Sequence, residues 1–160
     1  MKKEAMESKK YRFIKHITEQ AVPFNRELGL TLLHADDGKA GLRFEFQQKL
    51  VGNFMTHVLH GGVISSVLDV VGACAVMSTI DQENPLHDMG TVDMRVDFLR
   101  PGSGTYFIAT GQVMRPGRVL SAARMELVND KNDLIAIGTA IYRASRKARD
   151  QPTQPIKETP

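Results

Sequence analysis

The spacing of apolar residues changes near the middle of the chain. Val63 to Ile80 is a run of small and apolar residues that contains a single carboxylate, Asp69. A run of this length predicts a helix, and a helix that is apolar on nearly every side must be covered by protein over most of its circumference. After Pro85, apolar and polar residues alternate, which is the period of half-buried β-strands.

Strands are predicted on both sides of this helix. Leu28–Ala35 and Ala40–Gln47 flank the turn signal Asp36-Asp37-Gly38 and predict a hairpin. Residues 49–59 are predicted to be a loop. Four segments behind Pro85 are joined by short turns, which predicts that each pairs antiparallel with the next: Thr91–Arg100, Tyr106–Met114, Val119–Asn129 and Leu134–Arg143.

The simplest arrangement of these elements is of the α+β class: a curved antiparallel sheet wrapped around the long central helix, which is the hotdog fold. A flat α+β sandwich is the alternative, and it would leave one side of the helix bare in a monomer. A helix over Ser8–Ala21, ended by Pro23, precedes the sheet. We expect a basic tail and helix over residues 1–21, the hotdog domain over 22–144 and a basic, proline-containing disordered tail over 145–160.

The composition is that of an ordinary soluble domain, with 160 residues and a formal net charge of +3. Basic residues gather at the two ends without interleaved aromatic residues or glycines, so no nucleic-acid binding is expected. The single cysteine, Cys74, is expected in the core and fits a reducing, cytoplasmic compartment. The run from Val63 to Ile80 is long enough to span a bilayer, but its carboxylate, serines and glycine favour a helix buried in protein over a membrane segment.

Candidate chemistry lies at the start and in the middle of the predicted helix. His60-Gly61-Gly62 precedes the apolar run, and glycines at a helix start present backbone N–H groups to a carbonyl oxygen or an oxyanion. A carboxylate such as Asp69 inside an apolar segment is costly unless something uses it or pairs with it. The donor and the carboxylate together indicate acyl chemistry.

His60 and Asp69 are too far apart for one site in one chain. Nine residues of helix separate them by about half a turn and on the order of 13 Å. If they act together, the helix pairs with a symmetry mate and each site takes one element from each chain, and a two-fold axis is the commonest symmetry. Small residues on the helix would let such a partner approach closely: Gly62, Ser65, Ser66, Gly72, Ala73 and Ala75.

Several separated motifs resemble one protein family. Leu59-His60-Gly61-Gly62, with an aspartate nine residues after the histidine, and the strand from Gly90 to Gly102 are similar to the PaaI-type hotdog thioesterases. The YigI-type medium- and long-chain acyl-CoA thioesterases are more similar still, through three further motifs: Pro23-Phe24-Asn25-Arg26, Leu28-Gly29 and Val51-Gly52-Asn53. The resemblance spans residues 22 to 142. It implies an acyl-CoA thioesterase without a cofactor, acting as a homodimer or a dimer of dimers.

The resemblance also implies roles for individual residues. Asp69 would be the nucleophile or the general base toward the thioester carbonyl, and the backbone N–H of Gly61 would hold the developing oxyanion. Gly62 would contact the substrate. His60 would fix the loop and the region of the leaving thiolate. Asn53 would orient the attacking water or the carboxylate, although it lies seven residues before His60 where many PaaI-type members have six.

Three more residues are assigned in the same way. Thr91 matches a serine or threonine position near the attacking water, across from the aspartate. Arg100 and Arg118 follow strands beside glycine turns, where they would pair with the phosphates of coenzyme A. His57 and His60 have the spacing of metal ligands, but no third ligand stands nearby, so no metal site is expected.

Other interpretations of these residues stay open. Asp69 could be a structural carboxylate, His60 could only cap the helix, and the two arginines could be solvated charges at strand ends. The alternative functions are a non-catalytic acyl-CoA-binding hotdog protein, a hotdog hydratase or dehydratase, and a thioesterase for aryl or short-chain acyl groups.

Overall fold

A computed structural model of the chain describes residues 8–80 and 86–146, so the predicted tail segments 1–7 and 147–160 lie outside the described residues. Ser8 caps the first helix, because its Oγ accepts the N–H of Tyr11 at 3.1 Å. The N-terminal part is helical as predicted, in three pieces: α1 (Lys9–His16), a π-helical turn (Ile17–Ala21) and α2 (Pro23–Leu28).

Pro23 ends the first helical segment and also begins α2. Proline is favoured at a first helical position, where the N–H has no partner within the helix. α2 ends at Gly29, whose φ of 69° is left-handed. The strand predicted to start at Leu28 therefore starts only at Thr31, and that part of the prediction is wrong.

The strands of the main sheet are β1 (Thr31–Asp36), β2 (Lys39–Glu45), β5 (Leu86–Phe98), β6 (Tyr106–Arg115), β7 (Leu120–Asn129) and β8 (Leu134–Arg146). They form one antiparallel sheet in the order β1-β2-β6-β7-β8-β5. The segment predicted as a loop instead contains a 3-10 turn (Gln48–Leu50) and a small hairpin of β3 (Val51–Asn53) and β4 (Val58–Leu59). β8 continues two residues past the predicted domain boundary at 144.

The turn between β1 and β2 is the predicted one. Asp36 pairs with Lys39 across a two-residue loop. Asp37 and Gly38 have φ of 47° and 74°, and two successive left-handed residues are what a type I′ turn requires.

The prediction that each later strand pairs with the next is wrong for β5 and β6. β5 pairs with β8, while β6 lies between β2 and β7. The segment after β5 crosses over the end of the sheet, since the N–H groups of Leu99 and Arg100 donate to Ile135 O on β8 at 2.8 and 3.1 Å. Pro101 has no N–H with which to continue a ladder, and the carbonyl of Gly102 accepts the N–H of Leu59 at 3.0 Å.

The central helix, α3, covers Gly61–Ser78 and packs across the sheet. Its inner side is buried, with Val67, Leu68 and Val71 at 0% exposure. The sheet thus curves around the helix as the predicted hotdog fold requires. A stripe along the other side of α3 is half-buried or exposed in the single chain: Gly62, Ser66, Asp69, Val70 and Ala73.

Within the described ranges, α3 is the one helix long and apolar enough to span a membrane, with a mean hydropathy of 1.7 over 18 residues. Inside the protein, 56% of those residues are buried. The helix is therefore a core element of the protein, as its carboxylate, serines and glycine predicted.

Two small residues predicted to face a partner helix face the protein's own sheet instead. Gly72 and Ala75 are buried. A side chain at position 72 would collide with the hydroxyl of Tyr142 on β8 and would lie 3.0 Å from the sulfur of Met125. The glycine is therefore needed for packing within one chain.

The two edges of the sheet differ. The N-terminal helical segment covers β1, because Tyr11 Oη donates to Leu32 O at 3.2 Å and the N–H of Leu32 donates to Glu19 at 2.9 Å. At the other edge, β5 has β8 on one side and, among residues 8–80 and 86–146, no strand on the other. An uncovered edge presents unpaired backbone groups to another strand.

Candidate active site

The start of α3 is organised by His60. This residue is the N-cap, and its Nδ1 accepts the N–H of Gly62 at 2.8 Å. Its carbonyl accepts the N–H groups of Val63 and Ile64 at 2.9 and 3.2 Å. Because Nδ1 is an acceptor, the neutral imidazole carries its proton on Nε2. His60 therefore caps the helix, and its exposed side chain keeps one N–H donor in this tautomer.

Gly61 supplies the remaining backbone donor. Its N–H is the one in the first turn of α3 that has no acceptor among the described residues. A Cβ at this position would meet the ring of Phe98, at the end of β5, at 3.5 Å, which is an ordinary contact. The N–H of Gly62, also predicted to contact the substrate, is occupied by His60, so Gly61 is the donor left for a carbonyl oxygen.

Asp69 lies in the middle of α3 beside β5. Its Oδ1 accepts a hydrogen bond from Thr91 Oγ1 at 2.7 Å. The carboxylate residue is half-buried and the threonine is exposed. The structure thus brings together two of the predicted site residues, and the threonine hydroxyl fixes the orientation of the carboxylate.

Tyr142 supports the helix beneath Asp69. Its side chain is fully buried and its Oη donates to the backbone carbonyl of Asp69 at 2.9 Å. Burial, followed by the nearby charge of Asp69, raises the pKa of Tyr142 far above its usual range, so the hydroxyl stays a donor. Tyr142 was not predicted as a site residue. The sequence feature that indicates its contact is Gly72 in the interior of the helix. Glycine there destabilises a helix by about 1 kcal/mol relative to alanine, and its presence indicates that another residue packs closely against the helix.

A mostly apolar cavity of about 430 Å³ runs along the less buried side of α3. Its wall includes Ile17 and Thr18, which lie before the predicted start of the hotdog domain at residue 22. Asp69 is the carboxylate in its lining. The lining residues are Ile17, Thr18, Val22, Phe24, Asn25, Ser66, Asp69, Val70, Ala73, Cys74, Met77 and Met89.

Gly61 and Asp69 stand at two different places in the chain. Both belong to the continuous helix α3, and eight helical residues advance by about 12 Å. The N–H of Gly61 also points out of the N-terminal end of the helix, away from the carboxylate. The donor and the carboxylate of one chain are therefore far apart, as the helical spacing predicted.

Asn53 lies in the half of the site around Gly61. It ends β3, and its Oδ1 accepts the N–H groups of Met55 and Thr56 at 3.0 and 3.3 Å. In the single chain its carboxamide shapes the tip of the β3–β4 hairpin. It does not line the cavity beside Asp69.

The two predicted arginines lie at opposite ends of the site. Arg100 follows β5 near Phe98 and Gly61, and its Nη1 donates to Leu134 O at 2.9 Å. Arg118 is exposed in the β6–β7 turn. That turn lies against the end of β8 that pairs with Thr91, because Val119 O accepts the N–H of Ala144 at 2.8 Å. Neither arginine lines the cavity.

Cys74 is a core residue, as predicted. Its Sγ lies 3.2 Å from Thr18 Oγ1, and burial raises the pKa of the thiol to about 11. A thiol of this kind stays protonated near neutral pH and is a poor nucleophile. Within the part of the chain that the structure describes, no three His, Cys, Asp or Glu side chains are grouped so that they could hold a metal ion.

The curved antiparallel sheet around one long helix is the hotdog fold that the sequence predicted. The family model described as "Thioesterase superfamily" matches residues 56–136. The chain belongs to the thioesterase superfamily, and the predicted resemblance is confirmed.

Curated relatives are similar over most of the chain. The medium/long-chain acyl-CoA thioesterase YigI of Salmonella typhimurium is 43% identical over 131 residues, which cover 76% of this chain and 84% of that protein. The YigI protein of Escherichia coli is 42% identical over the same shares.

Solved structures have the same fold. A protein from Shewanella oneidensis related to the thioesterase superfamily is 34% identical, with a TM-score of 0.74 over 84% of this chain and 95% of that chain. The PaaI protein of Escherichia coli, from the phenylacetic acid degradation operon, has a TM-score of 0.71 at 20% identity over 84% of this chain and 93% of that one.

Proposed function

We propose that the protein hydrolyses medium- to long-chain acyl-CoA to a free fatty acid and CoA, as a homodimer. The observation that carries the proposal is the pair formed by the unoccupied N–H of Gly61 and by Asp69 in the wall of an apolar cavity. The similarity to the YigI proteins supports acyl-CoA of this chain length as the substrate. The apolar lining favours a fatty acyl group over a polar one.

The proposed reaction follows from the carboxylate of Asp69 and the backbone N–H of Gly61. Asp69 takes a proton from a water whose oxygen forms a bond to the thioester carbonyl carbon, and the carbonyl oxygen becomes an oxyanion held by the N–H of Gly61. When the oxyanion collapses, the C–S bond breaks and the proton passes to the CoA thiolate. Direct attack by the Asp69 carboxylate on the thioester, followed by hydrolysis of the resulting anhydride, gives the same products, a fatty acid and CoA. Thr91 acts as a positioning residue for the carboxylate.

Two chains are needed for this reaction, because Gly61 and Asp69 of one chain cannot contact the same carbonyl group. The open edge of β5 supports a two-fold pairing with a second copy. Gly61 is next to Phe98 and Asp69 is next to Thr91, both on β5. Antiparallel pairing of β5 about a two-fold axis near Arg95 would place Thr91 close to Phe98 of the partner subunit, and so bring each carboxylate toward the other chain's donor.

The same arrangement gives the arginines a role. Arg118 lies at the Thr91 end of its chain and Arg100 at the Gly61 end. In a composite site one arginine from each chain would flank the CoA moiety, whose phosphates suit guanidinium donors. Two such dimers could associate further into a dimer of dimers. The single cysteine, buried and protonated, supports a reducing, cytoplasmic location.

The experiment is a thiol-release assay on acetyl-, hexanoyl-, dodecanoyl-, palmitoyl- and phenylacetyl-CoA with the wild type and Asp69→Ala. We expect the highest kcat/KM for medium and long chains, and a loss of at least about a hundredfold in kcat in the folded variant. Binding of dodecanoyl-CoA without thiol release would identify a non-catalytic binder. A preference for the phenylacetyl or acetyl thioester would contradict the proposed substrate class.

A further inference from the structure

The tip of the β3–β4 hairpin carries two exposed apolar side chains. Phe54 is 80% exposed and Met55 is 74% exposed, the highest values among the large hydrophobic residues described. They are consecutive at the tip of the hairpin that leads into α3, so two large exposed apolar side chains come shortly before the predicted donor Gly61. Apolar surface of this kind marks a contact with a ligand or another chain more often than a scattered single residue does.

This tip has a defined shape. The Asn53 carboxamide oxygen accepts two successive backbone N–H groups, from Met55 and Thr56. The N–H of His57 donates to Asn53 O at 2.9 Å, and His57 has a left-handed φ of 50°. The two apolar side chains are therefore presented by an ordered turn.

The hairpin is also joined to the donor Gly61. β3 and β4 pair through Val51 and Leu59, and the N–H of His60 donates to Leu50 O at 2.8 Å. A side chain at Gly52 would collide with His60. The hairpin and the start of α3 thus form one unit, and the hairpin must lie wherever Gly61 lies.

The cavity beside Asp69 is open on the less buried side of α3. Phe24, Val70, Ala73 and Met77 make much of its apolar lining. From Asp69 to Met77 the helix advances by about 12 Å. An extended alkyl chain advances by about 1.25 Å for each C–C bond of roughly 1.5 Å, so about ten carbons match this length. An acyl chain lying along this stripe would be open to solvent on one side in a single chain.

We propose that Phe54 and Met55 of one subunit form the missing wall of the acyl cavity beside Asp69 of the partner subunit. The inference rests on the proposed function, in which Gly61 of one chain reaches the carboxylate of the other and the hairpin necessarily follows it. The exposed apolar tip and the open apolar cavity then cover each other's surfaces. The hairpin tip becomes a determinant of specificity for long acyl chains that acts across the dimer.

Heterodimers with one working site test this arrangement. Asp69→Ala and Gly61→Pro chains, carrying different affinity tags, are co-expressed and purified through both tags. The remaining site uses Asp69 of the second chain and the donor and hairpin of the first. Phe54→Ala is then placed on one chain or on the other. Phe13→Ala on the first chain, at a 52% exposed residue of α1, is the matched control.

We expect Phe54→Ala on the Asp69→Ala chain to raise KM for dodecanoyl-CoA about tenfold and to leave hydrolysis of acetyl-CoA unchanged. The same substitution on the Gly61→Pro chain, and the Phe13 control, should match the parent heterodimer. An equal or larger effect on the Gly61→Pro chain would show that the hairpin acts within its own subunit. No effect from either position would exclude it from the acyl site. An inactive parent heterodimer would overturn the two-chain site itself, and the inference with it.

Discussion

The hydroxyl of Thr91 donates a hydrogen bond of 2.7 Å to the carboxylate of Asp69. This contact joins the uncovered edge strand β5 to the middle of α3. A second chain that pairs with β5 would therefore lie directly beside the carboxylate. The proposed dimer edge and the carboxylate of Asp69 therefore lie at the same place in the fold.

Replacing Thr91 by valine removes this donor and keeps the shape of the side chain. We expect kcat to fall by about tenfold to a hundredfold, since a hydrogen bond to a charged group contributes about 1.5–3 kcal/mol. The melting temperature should hardly change, because Thr91 is exposed. Thr139→Val, at another exposed strand position, is the control. Equal kcat in the two variants would show that the contact has no part in turnover.

Gly61→Pro removes one backbone N–H and little else. Proline is favoured at a first helical position, and His60 already has φ −65° and ψ 136°, the conformation preferred before proline. Loss of an oxyanion donor typically costs about 2.7–4 kcal/mol, so we expect kcat to fall by two to three orders of magnitude in steady-state assays.

Gly61→Ala is the matched control for that variant. It keeps the N–H, and its Cβ would make an ordinary 3.5 Å contact with Phe98. We expect it to retain most of the wild-type kcat. If the proline and alanine variants were equally active, the N–H of Gly61 could not be the oxyanion donor.

Gly72→Ala should destabilise the fold by about 1–3 kcal/mol, the usual cost of overpacking a dense core, because the new methyl group meets Tyr142 and Met125. In the background of Tyr142→Phe the closest clash disappears, so the cost should shrink. Urea unfolding of the four proteins of this double-mutant cycle measures the coupling. Strict additivity would contradict the close approach of the Tyr142 hydroxyl to α3.

Cys74 makes stability depend on pH in the alkaline range. Burial raises its pKa from 9.0 to about 11 in the folded state, so the unfolded chain loses the thiol proton first. The protonated thiol therefore contributes to the free energy of unfolding in full below pH 9. This contribution, about 2–3 kcal/mol, is lost as the pH rises to about 11. The difference in unfolding free energy between the wild type and Cys74→Ala should narrow over this interval. A constant difference would show that the thiol titrates normally.

Much of the fold follows from local patterns. The apolar run from Val63 predicted α3, and Asp36-Asp37-Gly38 predicted a turn that needs two left-handed residues. The pairing of β5 was not predictable in this way, because Pro101 and the following glycines mark a reversal without showing which strand lies beside it. α2 was missed since a six-residue helix has too few turns to show a period.

Some residues of the candidate site were likewise predictable from local sequence patterns, and others were not. Asp69 and the glycines of His60-Gly61-Gly62 are visible because a charge in an apolar run and glycines at a helix start are local anomalies. Tyr142, the N-terminal wall of the cavity and the packing role of Gly72 depend on contacts between residues far apart in the chain, such as 73 positions for Tyr142 with Asp69 and 56 for Thr18 with Cys74. A glycine such as Gly72 inside a helix indicates a close approach, but the local sequence does not specify which distant residue makes the contact.

In the proposed dimer each site uses the Gly61 donor of one chain and the Asp69 carboxylate of the other. The most direct test is thiol release from dodecanoyl-CoA by the purified heterodimer of Asp69→Ala and Gly61→Pro chains. Each homodimer should be at least about a hundredfold slower than the wild type, whereas the heterodimer should regain about half of the wild-type rate per dimer, from one intact site of two. A heterodimer as inactive as its parents would contradict a site that is shared between two chains.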